Sequence, residues 1–137
     1  MPSSLERSLE ISHLCQDILS IHTKTRCSFF INRNGRITES KFRDDGNITG
    51  LTKQESEMLY MQCMLQSSMN KEFEGKLGRL DYTLIRRESA LNFIFPFSDG
   101  VIFVITDKTI SIQEIGSKIS KLIMEFELRE EVVLINA

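Results

Sequence analysis

Residues that usually carry chemistry are scarce in this chain of 137: it has two histidines and three cysteines, and no cluster of either. Cys15, Cys27 and Cys63 are odd in number and widely spaced, with no CxxC or Cys/His ligand pair, so neither a zinc site nor a disulfide framework is indicated. Cys15 falls on an apolar helical stripe and Cys63 in a strongly apolar helix. Both read as buried, reduced thiols, which suits a reducing cytoplasm. Neither His13 nor His22 has a Cys, Ser or carboxylate at a spacing that nominates a catalytic partner. His22 closes a helix, where a cation suits the negative end of the dipole. Gly46 with Gly50, and Gly75 with Gly78, match neither a Walker loop nor a GxGxxG turn. Asp44-Asp45-Gly46 lacks the alternating ligands of an EF-hand loop, and Asp44, Asp45, Asp81 and Glu88 read as loop and strand-rim carboxylates. No catalytic residue, metal or cofactor is assigned.

Other absences narrow the class further. No apolar run approaches about 18 residues and no signal-peptide core opens the chain, so neither a membrane span nor secretion is expected. A net charge of −2 gives no general attraction to nucleic acid or to anionic lipid. With 41% hydrophobic and 26% charged residues, the composition is that of an ordinary globule, and the length is that of one domain, 1–137.

What is present is an ordered change of hydrophobic period. Ser3 and Glu6 form a capping box, and Leu5, Leu9, Leu14, Cys15, Ile18 and Ile21 follow at helical spacing, which predicts a helix over 3–22. A strand over 27–32 and a polar strand over 36–43 flank Asn34-Gly35, the signature of a type I′ hairpin. The second of these reads as a sheet edge, kept from further pairing by its charges. Asp44–Asn47 reads as a turn-rich loop. A second capping box, Thr52 with Glu55, opens a helix over 53–74 that stops at Gly75 or Gly78. Strands over 79–88, 90–97 and 101–106 follow, with Pro96 limiting the second and the apolar run Val101–Thr106 at the sheet centre. Ser111 with Glu114 caps a last helix, 112–131. The apolar run Val132–Ile135 beyond it either folds back, continues the helix or joins a partner.

The order αββαβββα describes an α/β (α+β) fold with one five-stranded antiparallel sheet. The expected spatial order is β2-β1-β5-β4-β3, with the first and last helices on one face and the middle helix on the other. That middle helix has more apolar circumference than one sheet face can cover. Met58, Met61, Met64, Leu65 and Met69 nominate a helix-to-helix dimer contact, over a purely internal role or a ligand pocket. Arg79, Arg86 and Arg87 on one strand, after Lys76, would bind an anion or an acidic partner, or simply protect an edge.

The segments LCQDILSIHTKTR, INRNGRI, KLGRLDYTLIRRES and FPFSDGVIFVITD, in that order, resemble the roadblock/dynein-light-chain domain, a profilin-like module. More closely, they resemble a family of short archaeal proteins of no assigned activity. The resemblance implies a two-fold homodimer through the middle helix and the strand after it, adding Leu80, Tyr82 and Leu84 to the interface. It also implies a non-enzymatic, cytoplasmic scaffold or regulatory adaptor with a small Ras-like GTPase as partner. A first hairpin bulkier than is common in such domains (Cys27–Phe30, Glu39–Lys41) departs from the pattern. The competing reading is a small-molecule sensor of PAS-like or profilin-like type, marked by an apolar cavity of about 300 Å³ or more.

Overall fold

The computed structural model describes residues 4–43 and 50–136. The elements are α1 (Ser4–Ser20), β1 (Thr25–Asn32), β2 (Ile37–Phe42), α2 (Lys53–Lys71), a short α3 (Glu74–Leu77), β3 (Thr83–Arg86), β4 (Leu91–Phe97), β5 (Gly100–Thr106) and α4 (Ile112–Asn136). The five strands form one antiparallel sheet in the order β2-β1-β5-β4-β3. The Ser3 capping box and the Asp44–Asn47 turn lie outside the described residues.

β5 fixes the layering. All seven of its residues are buried, and alternate side chains go to opposite faces of the sheet. Ile102 and Val104 join Phe93, Phe95 and Phe97 of β4 beneath α1 and α4, which contribute Ile11, Leu14, Ile18, Ile115, Ile119 and Phe126. Val101, Phe103 and Ile105 join Cys27, Phe29, Ile31 and Ile94 on the other face, against Cys63 of α2. Fully burying one such side chain contributes about 1.5–3 kcal/mol, so each face needs a cover. Two helices cover the first face and one covers the second.

Charged side chains tie the elements at their ends. Arg7 of α1 donates from Nη1 and Nη2 to both carboxylate oxygens of Asp99 in the β4–β5 turn (2.8 and 3.0 Å) and from Nε to Glu130 of α4 (2.9 Å). Its guanidinium also lies 5.8 Å from the centre of the Phe97 ring. α1 has no basic residue in its last turn, and Arg43, just past β2, supplies that charge from a distance. Its Nη2 donates to the carbonyls of Leu19 and His22, and its Nε to the carbonyl of Thr25 at 2.8 Å. His22 instead uses Nδ1 to accept the Lys24 backbone N–H at 3.0 Å.

Several local expectations are corrected. The first hairpin turns through Arg33-Asn34-Gly35, with the Gly35 N–H on the Asn32 carbonyl and only Gly35 at positive φ, +76°. A three-residue loop ending in a left-handed glycine replaces the two-residue type I′ turn, because the Asn32 side chain accepts the Asn34 and Arg36 N–H groups. The Thr52–Glu55 box forms reciprocally, at 3.1 and 3.0 Å. The box expected at Ser111 does not form, because Glu114 turns to Lys118 at 2.9 Å. The middle helix stops at Lys71, α3 follows, and Gly78 ends it at φ +92°. The run Val132–Ile135 continues α4.

The strand expected over 79–88 is only Thr83–Arg86. The Arg87 N–H bonds the Ala90 carbonyl, so even-numbered residues of β4 direct their backbone groups toward β3. Thr83 pairs with Ile94, and one further step would set Asp81 opposite Pro96. Proline has no N–H to offer there, and the ladder ends.

Replacing Arg43 by Ala should cost about 1–2 kcal/mol of stability by releasing two carbonyls at the end of α1 and that of Thr25 at the start of β1. Arg43→Lys should recover less than half, since an ammonium cannot span the same fork. Urea midpoints for the three proteins check this; identical midpoints would refute the clamp.

Candidate functional site

The side of the molecule bearing α2 is the less completely covered. A helix is about 10 Å across, whereas five strands about 4.8 Å apart span roughly 19 Å. One helix therefore leaves sheet uncovered on either side of its axis, and a pocket flanks it at each end.

α2 carries two adjacent apolar stripes. Leu59, Tyr60, Cys63 and Met64 face the sheet. Met58, Met61, Leu65 and Met69, followed by Phe73, recur at intervals of three or four and remain 57%, 42%, 54%, 61% and 57% exposed. Five large apolar side chains in line on one outer surface are far more than scattered surface hydrophobics.

The other residues nominated from sequence separate. Met64 is partly buried against the sheet, not on the outer stripe. Tyr82 and Leu84 pack on the opposite face, beneath α4. The Tyr82 ring lies 5.6 and 5.4 Å from Phe93 and Phe95, in space that Gly116 leaves by having no Cβ. Leu80 is half-buried in the loop before β3. β3 therefore offers an interface chiefly its backbone, since Leu84 and Arg86 alternate with the β4-bonded Thr83 and Ile85 and direct their groups outward.

The three arginines do not converge either. Arg79 lies beside Glu127 of α4. Arg86 and Arg87 are successive residues at the end of a strand and point to opposite faces. Only Arg87 reaches the α2 side, where its charge acts on the Cys63 thiol.

One pocket, of about 400 Å³, lies between the first half of α2 and the sheet. Leu59, Met58, Phe103 and Ile105 form its apolar walls, and its polar groups are Arg26, Glu55, Gln62, Arg87, Ser89 and Asn92. The other, of about 380 Å³, lies under the second half, between Met61 and Met64 on one side and Arg33, Ser67, Lys71 and Ser98 on the other. Both open to solvent, and neither is the closed cavity that a sensor domain would hold. The first owes its space to Ala90, just before β4, and Asn92 within it, small side chains on the α2-facing side. That signal was present in the sequence, but only the pairing of strands shows which helix they face.

The site has no activated thiol. Burial pushes Cys15 up to about 11 and Cys27 and Cys63 up to about 12, the reverse of what a nucleophile needs. His13 and His22 are both exposed. Among the described residues no three His, Cys, Asp or Glu side chains gather at a metal-binding distance, and no helix is long and apolar enough to cross a membrane.

No protein-family model matches the chain, and no curated protein matches it in sequence. Solved structures do resemble it. A roadblock/LC7 domain from Streptomyces avermitilis is 11% identical, with a TM-score of 0.64 over 88% of this chain and 97% of that one. MglB of Myxococcus xanthus is 14% identical, with a TM-score of 0.63 over 89% and 96%. An MglB in a tetrameric arrangement is 12% identical, with a TM-score of 0.54 over 92% and 95%. The chain has the roadblock/LC7 fold.

Two measurements follow from the buried groups. A thiol reagent at neutral pH should leave all three cysteines unlabelled until urea unfolds the protein; fast labelling of the native state would contradict the burial. Burial also raises Glu127 above its ordinary value of 4.5, against the pull of Arg79 and Lys71. The folded state then holds that proton more tightly than the unfolded one, and stability falls as pH rises from about 4.5 through the raised value. Glu127→Gln should gain stability over the parent at pH 7 and show little gain at pH 4. An equal difference at both would show that ionisation is not the cause.

Proposed function

We propose that this chain is a non-enzymatic, self-associating adaptor of roadblock type, in which two copies cover one another along the outer stripe of α2. The observation that carries this reading is the line Met58, Met61, Leu65, Met69 and Phe73, each more than two-fifths exposed. A single helix with apolar residues on both its inner and its outer side is a helix meant to be covered twice, and methionine suits an adaptable contact. A structural neighbour, MglB, described in a tetrameric arrangement supports this reading. The short edge at Leu84 and Arg86 lets a partner's β3 pair beside the helix contact.

By its resemblance to roadblock-like domains, the assembled copies would present a small Ras-like GTPase with a docking surface. That partner class rests on the resemblance, and the α2 stripe is the physical support for the assembly itself. Purified GTPases of the source genome, loaded with GTPγS or GDP and passed over the immobilised chain, test it. Retention that depends on the nucleotide supports the adaptor role, and no retention in either state overturns the partner class.

Light scattering across dilution into the micromolar range should report a dimer. Met61→Glu and Leu65→Glu should each weaken it by about 2 kcal/mol or more, since each strands a charge at the centre of an apolar contact. Lys121→Glu, on the exposed side of α4, should leave the mass unchanged. Monomer mass for the parent, or dimer mass for both α2 variants, would place the reading in error.

A further inference from the structure

The pocket beneath the first half of α2 has features that an assembly surface does not need. Asn92 is 5% exposed, and its amide has no hydrogen-bond partner among the described residues, although the pocket lies directly against it. The amide reaches solvent through the pocket rather than being sealed without a partner, and a ligand bound there takes the place of that water. Arg87, exposed and with no ion pair among the described residues, lines the same space, and Gln62 of α2 lines it beside them. The remaining cation there, Arg26, is already paired with Asp107, and the Glu55 carboxylate is held in the capping box by the Thr52 N–H. The unspent polar capacity is therefore one guanidinium, two amides and the Ser89 hydroxyl, which together favour an anion that also accepts hydrogen bonds.

The other wall is apolar. Phe103 is fully buried beneath it, Ile105 nearly so, and Leu59 and Met58 form the roof. Water filling this volume satisfies Asn92 but gains nothing from the apolar side, of which Met58 and Leu59 are the open part. A few placed polar groups set against an apolar wall, in about 400 Å³, are the arrangement of a small-molecule site.

We propose that this pocket binds a small carboxylate bearing an aromatic or branched apolar group. The carboxylate lies between Arg87 and Asn92, and the apolar group lies against Phe103 and Ile105 beneath Leu59. The site is built within one chain and does not rest on self-association.

The test uses the full chain and two probes, phenylacetate and indole-3-acetate, with phenylacetamide as the uncharged counterpart. In amide-resolved NMR titrations the acids should shift the Asn92 side-chain NH₂ and the Ala90 backbone signal. Phenylacetamide should bind at least tenfold more weakly. Arg87→Gln should remove the preference for acid over amide, and Asn92→Leu, which replaces the amide by an apolar side chain of similar size, should abolish carboxylate binding while the protein stays folded. Repeating the titration on Met61→Glu separates the site from the dimer: binding unchanged there supports the pocket whatever the mass of the protein. No shift at Asn92 and Ala90 with either acid in the millimolar range would overturn the proposal. So would shifts that survive both pocket variants unchanged.

Discussion

A strand buried along its whole length has to be dry on both sides. β5 is such a strand, and its position at the middle of the sheet obliges the rest of the chain to supply two covers. Ile102 and Val104 receive α1 and α4, and Val101, Phe103 and Ile105 receive α2. The asymmetry of those covers, two helices against one, accounts for most of what is distinctive here. The doubly covered face is filled by phenylalanine: Phe93 and Phe95 stack at 5.9 Å, and Phe97 packs against Phe126. The singly covered face is where the two pockets remain.

The end-to-end order of that packing is held by arginine rather than by helix caps. Arg7 joins the start of α1, the β4–β5 turn and the far part of α4 through one guanidinium. Arg43 closes α1 from across the sheet edge. These contacts join segments far apart in sequence, and a planar fork with several donors does what single-point ammonium groups cannot. Such roles leave no local trace: Arg43 reads from sequence as the end of a polar strand.

The legible parts of the fold were those decided within a dozen residues. The continuous apolar run along 101–106, the Thr52–Glu55 box and the stripe from Ile112 to Phe126 each follow from neighbours in sequence, and with them came the element order and the sheet order. The parts that resisted were decided by pairing. Arg86 and Arg87 look like one basic cluster until the pleat sends them to opposite faces. Tyr82 and Leu84 look like interface residues until the sheet turns them under α4. The first pocket depends on Ala90 and Asn92 sharing a face with Phe103 and Ile105 of the neighbouring strand, a coincidence of register. Met58, Met61, Leu65 and Met69 were legible because a helix repeats its own geometry, whereas Met64, one residue from Leu65, falls on the inner side.

Pro96 does more than stop a ladder. By ending β3 after four residues it trims that rim of the sheet to a lip on which only Leu84 and Arg86 present outward backbone groups. The opposite rim, β2, alternates Thr38 and Ser40 with Glu39 and Lys41. Neither margin is long or plain enough to template stacked growth, and one missing hydrogen thereby helps keep a phenylalanine-rich sheet from seeding fibrils.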